Sequence, residues 1–376
     1  MGLRLQGAGL AALLALGMGM VVPEASAEEI RVGILAPLTG RFSSWGEYTR
    51  DAAEMAVAEI SAKGGVAGVG KIKLIYADSE GNAKVGVSAV TKLISRDKVH
   101  VVLGEALSSV TLPTMAVTQR AKIPQLTAIS GSPKVTGSGN KWIFRTQINQ
   151  TYSGDLLADW ALNRLKFKKI AILHANEPFG AGGANSFRAG LAKRGMKPVA
   201  FERFNRGDKD FSGQLRRIKA AGAKLLGFFG FHTEAAISFK QAKQLGLDLT
   251  ILTNDALANP KFLELAGADA EGVIISSMFI ADNPDPLVEA FVKRFKAKFG
   301  RDPNQFHGSI YDAIYILAEA FKRAGSTNNE KLRKALLSIQ DLRGVTGVHK
   351  FDEYGDDRKG FLLMIVKNGK YVFYAK

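Results

Sequence analysis

A chain of 376 residues with no cysteine can hold neither a disulfide nor a thiolate metal site, so its stability has to come from buried apolar surface. With 46% hydrophobic and 23% charged residues it has the makeup of a globular protein. Its formal charge of +16 is spread along the chain, as in Arg216-Arg217-Ile218-Lys219 and Lys293-Arg294-Phe295-Lys296, which reads as a solvated basic surface and not as a nucleic-acid site. An anionic membrane surface suits the same charge as an electrostatic neighbour.

In chain order, the first unit is the leader. Arg4 precedes an uncharged run over 8–22, and Ala25-Ser26-Ala27 has the small-x-small form that signal peptidase cuts after. The run is 15 residues long, whereas a membrane span needs about 20, so a cleaved signal peptide is expected over 1–27. The mature protein would then begin at Glu28 in the periplasm, with no cysteine to carry a lipid and no nucleic acid within reach. The 349 residues beyond Ala27 suit two domains of about 150 residues each or somewhat more.

Short β-rich apolar runs then alternate with longer stretches of helical spacing. Strands are predicted over 30–35, 71–76, 99–103 and 125–129, with helices over 48–60, 83–95 and 111–120 between them. In the first helix Ala52, Met55, Ala56 and Ile60 fall on one face. A loop rich in Gly, Ser and Pro covers 130–140. The second series places helices over 154–165, 184–193, 211–221 and 233–245, and strands over 169–174, 197–204, 224–229, 250–253 and 272–276. This alternation belongs to parallel sheets covered by helices on both faces, so the fold class is α/β with two units of similar order.

The remainder lacks the strands for a third unit. Asn283-Pro-Asp-Pro286 introduces a helix that runs to Phe299, and two more follow over 309–324 and 329–338, all of which must cover an existing sheet. At the end, Asn368-Gly369 between β-rich runs over 361–367 and 370–374 predicts a hairpin. Crossings near 146–149, 280–283 and 349–351 would make each lobe discontinuous, 28–147 with 282–349 and 148–281 with 350–376. Three such crossings form a hinge.

Catalytic motifs fail on spacing. The stretch Gly65 to Ile72 nearly spells a phosphate-binding loop, but Ile72 stands where a metal-holding hydroxyl is required and the segment precedes a strand. The loop Gly180-Ala-Gly182-Gly183 lacks the third glycine of a dinucleotide motif. His100, His174, His232, His307 and His349 show no metal-ligand spacing, and no G-x-S-x-G elbow occurs. Neither an enzyme nor a cofactor nor a metal is expected. The strand-end loops carry better chemistry for a small polar ligand. Ser108-Ser109 and Ser130-Gly131-Ser132 follow consecutive strands, where hydroxyls and backbone N–H groups can converge on an anion or simply cap a helix. Asp255 follows a strand of the second series and could meet a cation or cap the next turn.

Several segments in order carry a resemblance: Pro37-Leu-Thr-Gly40, Ser44-Trp-Gly46, Ala58-Glu-Ile with Lys63-Gly-Gly65, Gly104 through Ser109, Ser132-Pro133, Phe179-Gly180, Lys209-Asp-Phe-Ser212 and Asp352-Glu-Tyr-Gly355. From Ile30 to the C-terminus the chain resembles the periplasmic branched-chain amino acid binding proteins of ABC transporters, the leucine/isoleucine/valine-binding type. The resemblance implies two Rossmann-like lobes joined by three hinge strands, a ligand enclosed between them, and delivery to an inner-membrane ABC permease without catalysis. It implies that Trp45 faces the ligand, that Ser108 with the backbone near Ser130 holds its carboxylate, and that Asp255 meets its ammonium group. Two departures stand out. Gly131 replaces a threonine common in the family, with Ser130 or Ser132 as substitutes, and Phe179 and Phe231 stand where the family has tyrosines. A hydrophobic, branched-chain-like amino acid is the first ligand class, with an aromatic carboxylate or small amide as the alternative. A monomer is expected, and a sensory receptor role is the alternative to transport.

Overall fold

The computed structural model describes residues 1–2 and 28–374; the rest of the expected signal peptide, 3–27, lies outside the described residues. The first sheet, ordered β2-β1-β3-β4-β5, is built from β1 (Glu28–Ala36), β2 (Gly70–Asp78), β3 (Val101–Gly104), β4 (Gln125–Thr127) and β5 (Ile143–Arg145), all parallel. Its inner strands β3 and β4 and most of β1 are buried on both faces, which explains their nearly unbroken apolar runs, whereas the edge strand β2 turns Lys71 and Lys73 outward. Ile30, Val32 and Ile34 of β1 enter one core, while Leu35 enters another with Val102. Between these strands run α1 (Ser43–Ala62), α2 (Ala83–Ser95) and α3 (Ser108–Ala121).

The chain then enters a second body through α4 (Gln150–Asp159), followed by β6 (Ile170–Ala175), α5 (Pro178–Lys193), β7 (Ala200–Phe204), α6 (Ser212–Ala220), β8 (Leu225–Phe229), α7 (His232–Gln244), β9 (Thr250–Thr253), α8 (Pro260–Ala266) and β10 (Ile274–Ser277). It returns to the first body with α9 (Pro286–Phe299), α10 (Gln305–Ala324) and α11 (Asn329–Leu337), whose Phe291, Phe295, Ile314, Leu317 and Leu332 fill the core beside Ile30 and Val32. These helices cover the existing sheet, as their lack of strands requires. A small hairpin follows, β11 (Leu342–Gly344) and β12 (Gly347–His349), and the chain ends in β13 (Leu362–Lys367) and β14 (Lys370–Phe373). The second sheet is ordered β14-β13-β10-β9-β8-β6-β7, with only the β10–β13 and β13–β14 pairings antiparallel. Asn368 and Gly369 both have positive φ, 52° and 70°, the conformation a two-residue hairpin turn demands.

The α/β architecture with three passages between sheets therefore matches the sequence reading, but several boundaries differ. The third passage comes later than 349–351. Arg145 is fully buried, and its Nε donates to Asp356 Oδ1 at 2.8 Å, with its other nitrogens on Ser132 O and Thr136 Oγ1. A buried guanidinium needs that carboxylate, so the stretch through Asp356 stays bridged to Arg145, beside the first sheet, and Phe351 stays in the first core. Helix α5 begins at Pro178 and not at 184, because Pro at its first position and Glu177, whose Oε1 accepts from Gly180 N at 2.7 Å, start it early. Its Gly182 and Gly183 permit close packing: a Cβ on Gly182 would stand 2.8 Å from Pro133 Cδ and 2.9 Å from Gln150 Oε1. The short elements β5, α8 and the β11–β12 hairpin were not visible as runs. Helix α3 starts at Ser108 and not at 111, which places both serines in its first turn.

Candidate functional site

Loops at the C-terminal ends of strands in both sheets meet around a small, tightly closed cavity of about 10 Å3. From the first body come Ala106, Leu107 and Ser108 after β3, Ile129 after β4, Trp45 of α1 and Phe306 of α10. From the second come Phe179 after β6, Phe231 after β8, and Asp255 with Ala256 after β9. Crevices outside the carboxyl ends of parallel strands are where open α/β sheets bind ligands.

Most of the wall is aromatic. Phe179 stacks on Phe231 with ring centroids 5.3 Å apart, and Phe231 meets Trp45 and Phe42 edge-on at 5.6 and 5.4 Å. Trp45 in turn packs on Phe42 and Phe306, both at 5.5 Å. Rings of the two bodies thus interlock. The Trp45 Nε1 donor is buried with no protein partner. Neither Phe179 nor Phe231 brings a hydroxyl to this wall.

Two polar groups break the apolar lining. Ser108 Oγ lies 2.9 Å from Ser130 Oγ and accepts from the backbone N–H of Ser132 at 3.3 Å. The capping alternative for Ser108 does not apply, because the N-cap of α3 is Leu107, which offers no side-chain acceptor. Asp255 is likewise released from capping: Asn254 caps the turn over Asp255–Leu257 and accepts from Ala256 N. The Asp255 carboxylate instead takes the side-chain amides of Gln147 and Gln305 on Oδ2, the latter at 2.9 Å. Burial pushes its carboxyl up to about 6, against the pull of those hydrogen bonds.

Of the other predicted residues, Ser130 reaches the cavity only through Ser108, and Gly131 lies behind Phe179, where an added Cβ would stand 3.3 Å from the ring. Ser132 is buried with its Oγ unpartnered and borders a separate groove with Pro133 and Glu177. Ser109 does not reach the cavity and is partly exposed, because the next residue of a helix turns by about 100°.

Two of the cavity's neighbours had no sequence signal. Gln147 and Gln305 come from a connecting segment and a helix start, and nothing in their local pattern marks them. Glu105, directly before the lining residues, is fully buried and its carboxyl is pushed up to about 7 by burial, although Ser79 Oγ donates to it at 2.8 Å and Leu107 N at 2.5 Å. Arg206 lies over Phe42 and Phe231 at 5.1 and 5.2 Å. Among the described residues no group of His, Asp and Glu is arranged to hold a metal ion, and no helix is long and apolar enough to cross a membrane.

The sequence model of a family described as "Periplasmic binding protein" matches residues 29–366, nearly all of the described chain. The chain belongs to the periplasmic binding protein family. Among its relatives, a leucine-, isoleucine-, valine-, threonine- and alanine-binding protein of Pseudomonas aeruginosa is 32% identical over 332 residues, 88% of each chain. A leucine-binding protein LivK of Thermotoga maritima superposes with a TM-score of 0.86 at 27% identity, over 92% of this chain and 98% of that one. The branched-chain amino acid transporter substrate-binding protein LivJ of Streptococcus pneumoniae, solved with isoleucine, gives 0.85 at 26% identity, over 92% and 98%. The periplasmic binding protein fold accounts for both sheets and for the three passages between them.

Proposed function

We propose that this protein is the periplasmic solute receptor of an ABC importer and takes a hydrophobic amino acid between its two lobes. The observation that carries the reading is the pairing of Ser108 and Asp255. Each lines the cavity, each is free of the capping role that would explain it otherwise, and they come from opposite bodies. A hydroxyl backed by Ser130 and by a backbone N–H suits a ligand carboxylate, a buried aspartate suits an ammonium group, and aromatic rings between them suit an apolar side chain. The relatives named for leucine, isoleucine and valine, and the isoleucine held by LivJ, support the same class.

Contacts from both lobes exist together only in the closed form, so ligand binding favours closure, and closure excludes water from the ligand. The closed protein would present a composite surface to an inner-membrane permease. It would act as a monomer after export, with no catalytic step. A second reading, an aromatic carboxylate, draws on Phe179 and Phe231: their stacked rings offer flat apolar surface and no hydroxyl. Calorimetric titration with leucine, phenylalanine and a deaminated aromatic acid separates the two. Binding of leucine or phenylalanine with a decrease in radius of gyration supports the amino-acid receptor; binding of the deaminated acid alone replaces it with the second reading.

A further inference from the structure

We infer that Arg41 and Glu234 set how far the ligand-free protein closes, and thereby fix its affinity for every ligand without touching any of them; the inference rests on the two-lobed receptor described above. Arg41 belongs to the 3-10 turn Gly40–Phe42 of the first lobe, and Glu234 to the first turn of α7 in the second. Their side chains form a hydrogen-bonded ion pair at the edge of the aromatic cluster. Among the described residues it is the only ion pair that joins the two bodies outside the connecting segments.

The surroundings decide its sign. Burying an ion pair costs hydration on both sides, and the Coulombic gain does not always repay it. Here the two partners differ: the Glu234 side chain is 1% exposed and the Arg41 side chain 34%. Only one charge is taken fully out of water, and that carboxylate also accepts the backbone N–H of Gly207 at 2.9 Å. Arg206 adds a second tie, since its guanidinium, carried by the second lobe, lies over Phe42 of the first. His232 does not compete as a cation, because burial, helped by Arg41, pushes its pKa down to about 4. Opening the cleft separates Arg41 from Glu234 and withdraws Phe42 from Arg206, so these contacts favour the closed state whatever it encloses.

A contact of this kind has a signature that a ligand-touching residue lacks. Apparent affinity scales with the fraction of protein in the competent state, so weakening closure lowers affinity for all ligands by one common factor. Glu234→Gln keeps the shape and an acceptor for Gly207, and Arg41→Met removes the charge from a partly exposed site. Small-angle scattering of the ligand-free variants is expected to show a larger radius of gyration than wild type. Every ligand that wild type binds should weaken by the same factor, about tenfold, mostly through faster dissociation. Arg41→Lys, which retains the charge, should recover most of the closure. A ligand-free scattering profile identical to wild type in both variants, or losses that differ from ligand to ligand, would overturn the inference. The scattering arm needs no ligand, so a failure of the amino-acid reading leaves it decisive.

Discussion

The side-chain amide of Gln305, at the start of α10, donates to Asp255 at 2.9 Å, tying the first lobe to the end of β9 in the second. Gln147, on the segment between lobes, donates to the same oxygen. Asp255 therefore sits at the cavity where the connecting segment and both lobes meet, and if the proposed ligand binds there, its protonation state is expected to be read out in binding.

Burial raises the Asp255 carboxyl to about 6. A ligand ammonium group recruits the ionised form, so below that pH an amino acid must displace a proton as it binds. Affinity for leucine or phenylalanine is expected to fall by up to about tenfold per pH unit below about 6, with close to one proton released per ligand. A deaminated acid should bind the protonated form at least as well. Asp255→Asn should weaken amino acids and abolish the pH dependence. Titration calorimetry at about pH 5 and about pH 7.5, in buffers of different ionisation enthalpy, measures both quantities; pH-independent affinity would count against an ammonium partner.

Ser108 and Ser109 provide an internal control. Ser108 Oγ is linked to Ser130 and Ser132 beside the cavity, whereas Ser109 is half-buried on another side of the helix. Loss of a hydrogen bond to a charged group costs about 1.5–3 kcal/mol, so Ser108→Ala should weaken a carboxylate ligand by about 10- to 100-fold. Ser109→Ala should leave affinity unchanged. Equal effects of the two substitutions would remove Ser108 from the ligand site.

The order of strands and helices was legible because parallel strands buried on both faces leave apolar runs, as over Ile170–Ala175 and Leu225–Phe229. Ser108 and Asp255 were legible as polar residues at strand ends, though that neither serves as a helix cap became clear only from the N-cap positions of Leu107 and Asn254. Gln147 and Gln305 were not legible at all. They are 158 positions apart and meet Asp255 only through the tertiary fold. The late third passage was hidden for a similar reason, since it depends on a buried Arg145 that reaches Asp356 across 211 positions. The start of α5 was masked by glycines, which lower helix propensity but are needed where α5 approaches Pro133 and Gln150.

Export can be checked directly. Ala25-Ser26-Ala27 predicts cleavage before Glu28, and with no cysteine in the chain the product carries no lipid. N-terminal sequencing of protein from the periplasmic fraction should begin Glu28-Glu29-Ile30. An intact Met1 on membrane-bound material would contradict the expected leader.

A cluster of buried charges lies at the third passage, away from the aromatic cavity. His349 lies between two buried carboxylates, with Nδ1 2.6 Å from Asp357 Oδ2 and Nε2 3.1 Å from Asp312 Oδ2. Asp312 also accepts from Val345 N, Thr346 N and Thr346 Oγ1, and Lys359 Nζ stands 3.2 Å from Asp357. Burial and Lys359 oppose a charge on His349, but the bonds to Asp312 and Asp357 outweigh them and raise its pKa. Burial alone would raise both carboxyls, yet His349 and Lys359 hold them below the usual range. The signs then fix a window. The histidine's contribution is complete below its unfolded value of about 6.5 and is lost as pH rises through the higher folded value. The carboxylates contribute fully above about 3.9 and lose that contribution as pH falls through their lowered folded values. Between about pH 4 and about pH 6.5 the whole cluster is charged and paired. His349→Ala leaves two buried carboxylates with one cation, a loss of about 3–5 kcal/mol in that window. At alkaline pH the wild-type histidine is itself neutral, so the gap between wild type and variant should narrow. Thermal unfolding at about pH 5.5 and about pH 9 tests this: a large Tm gap at the lower pH that shrinks at the higher is the expected result, and a variant that melts with wild type at both would show that the cluster contributes nothing to folding.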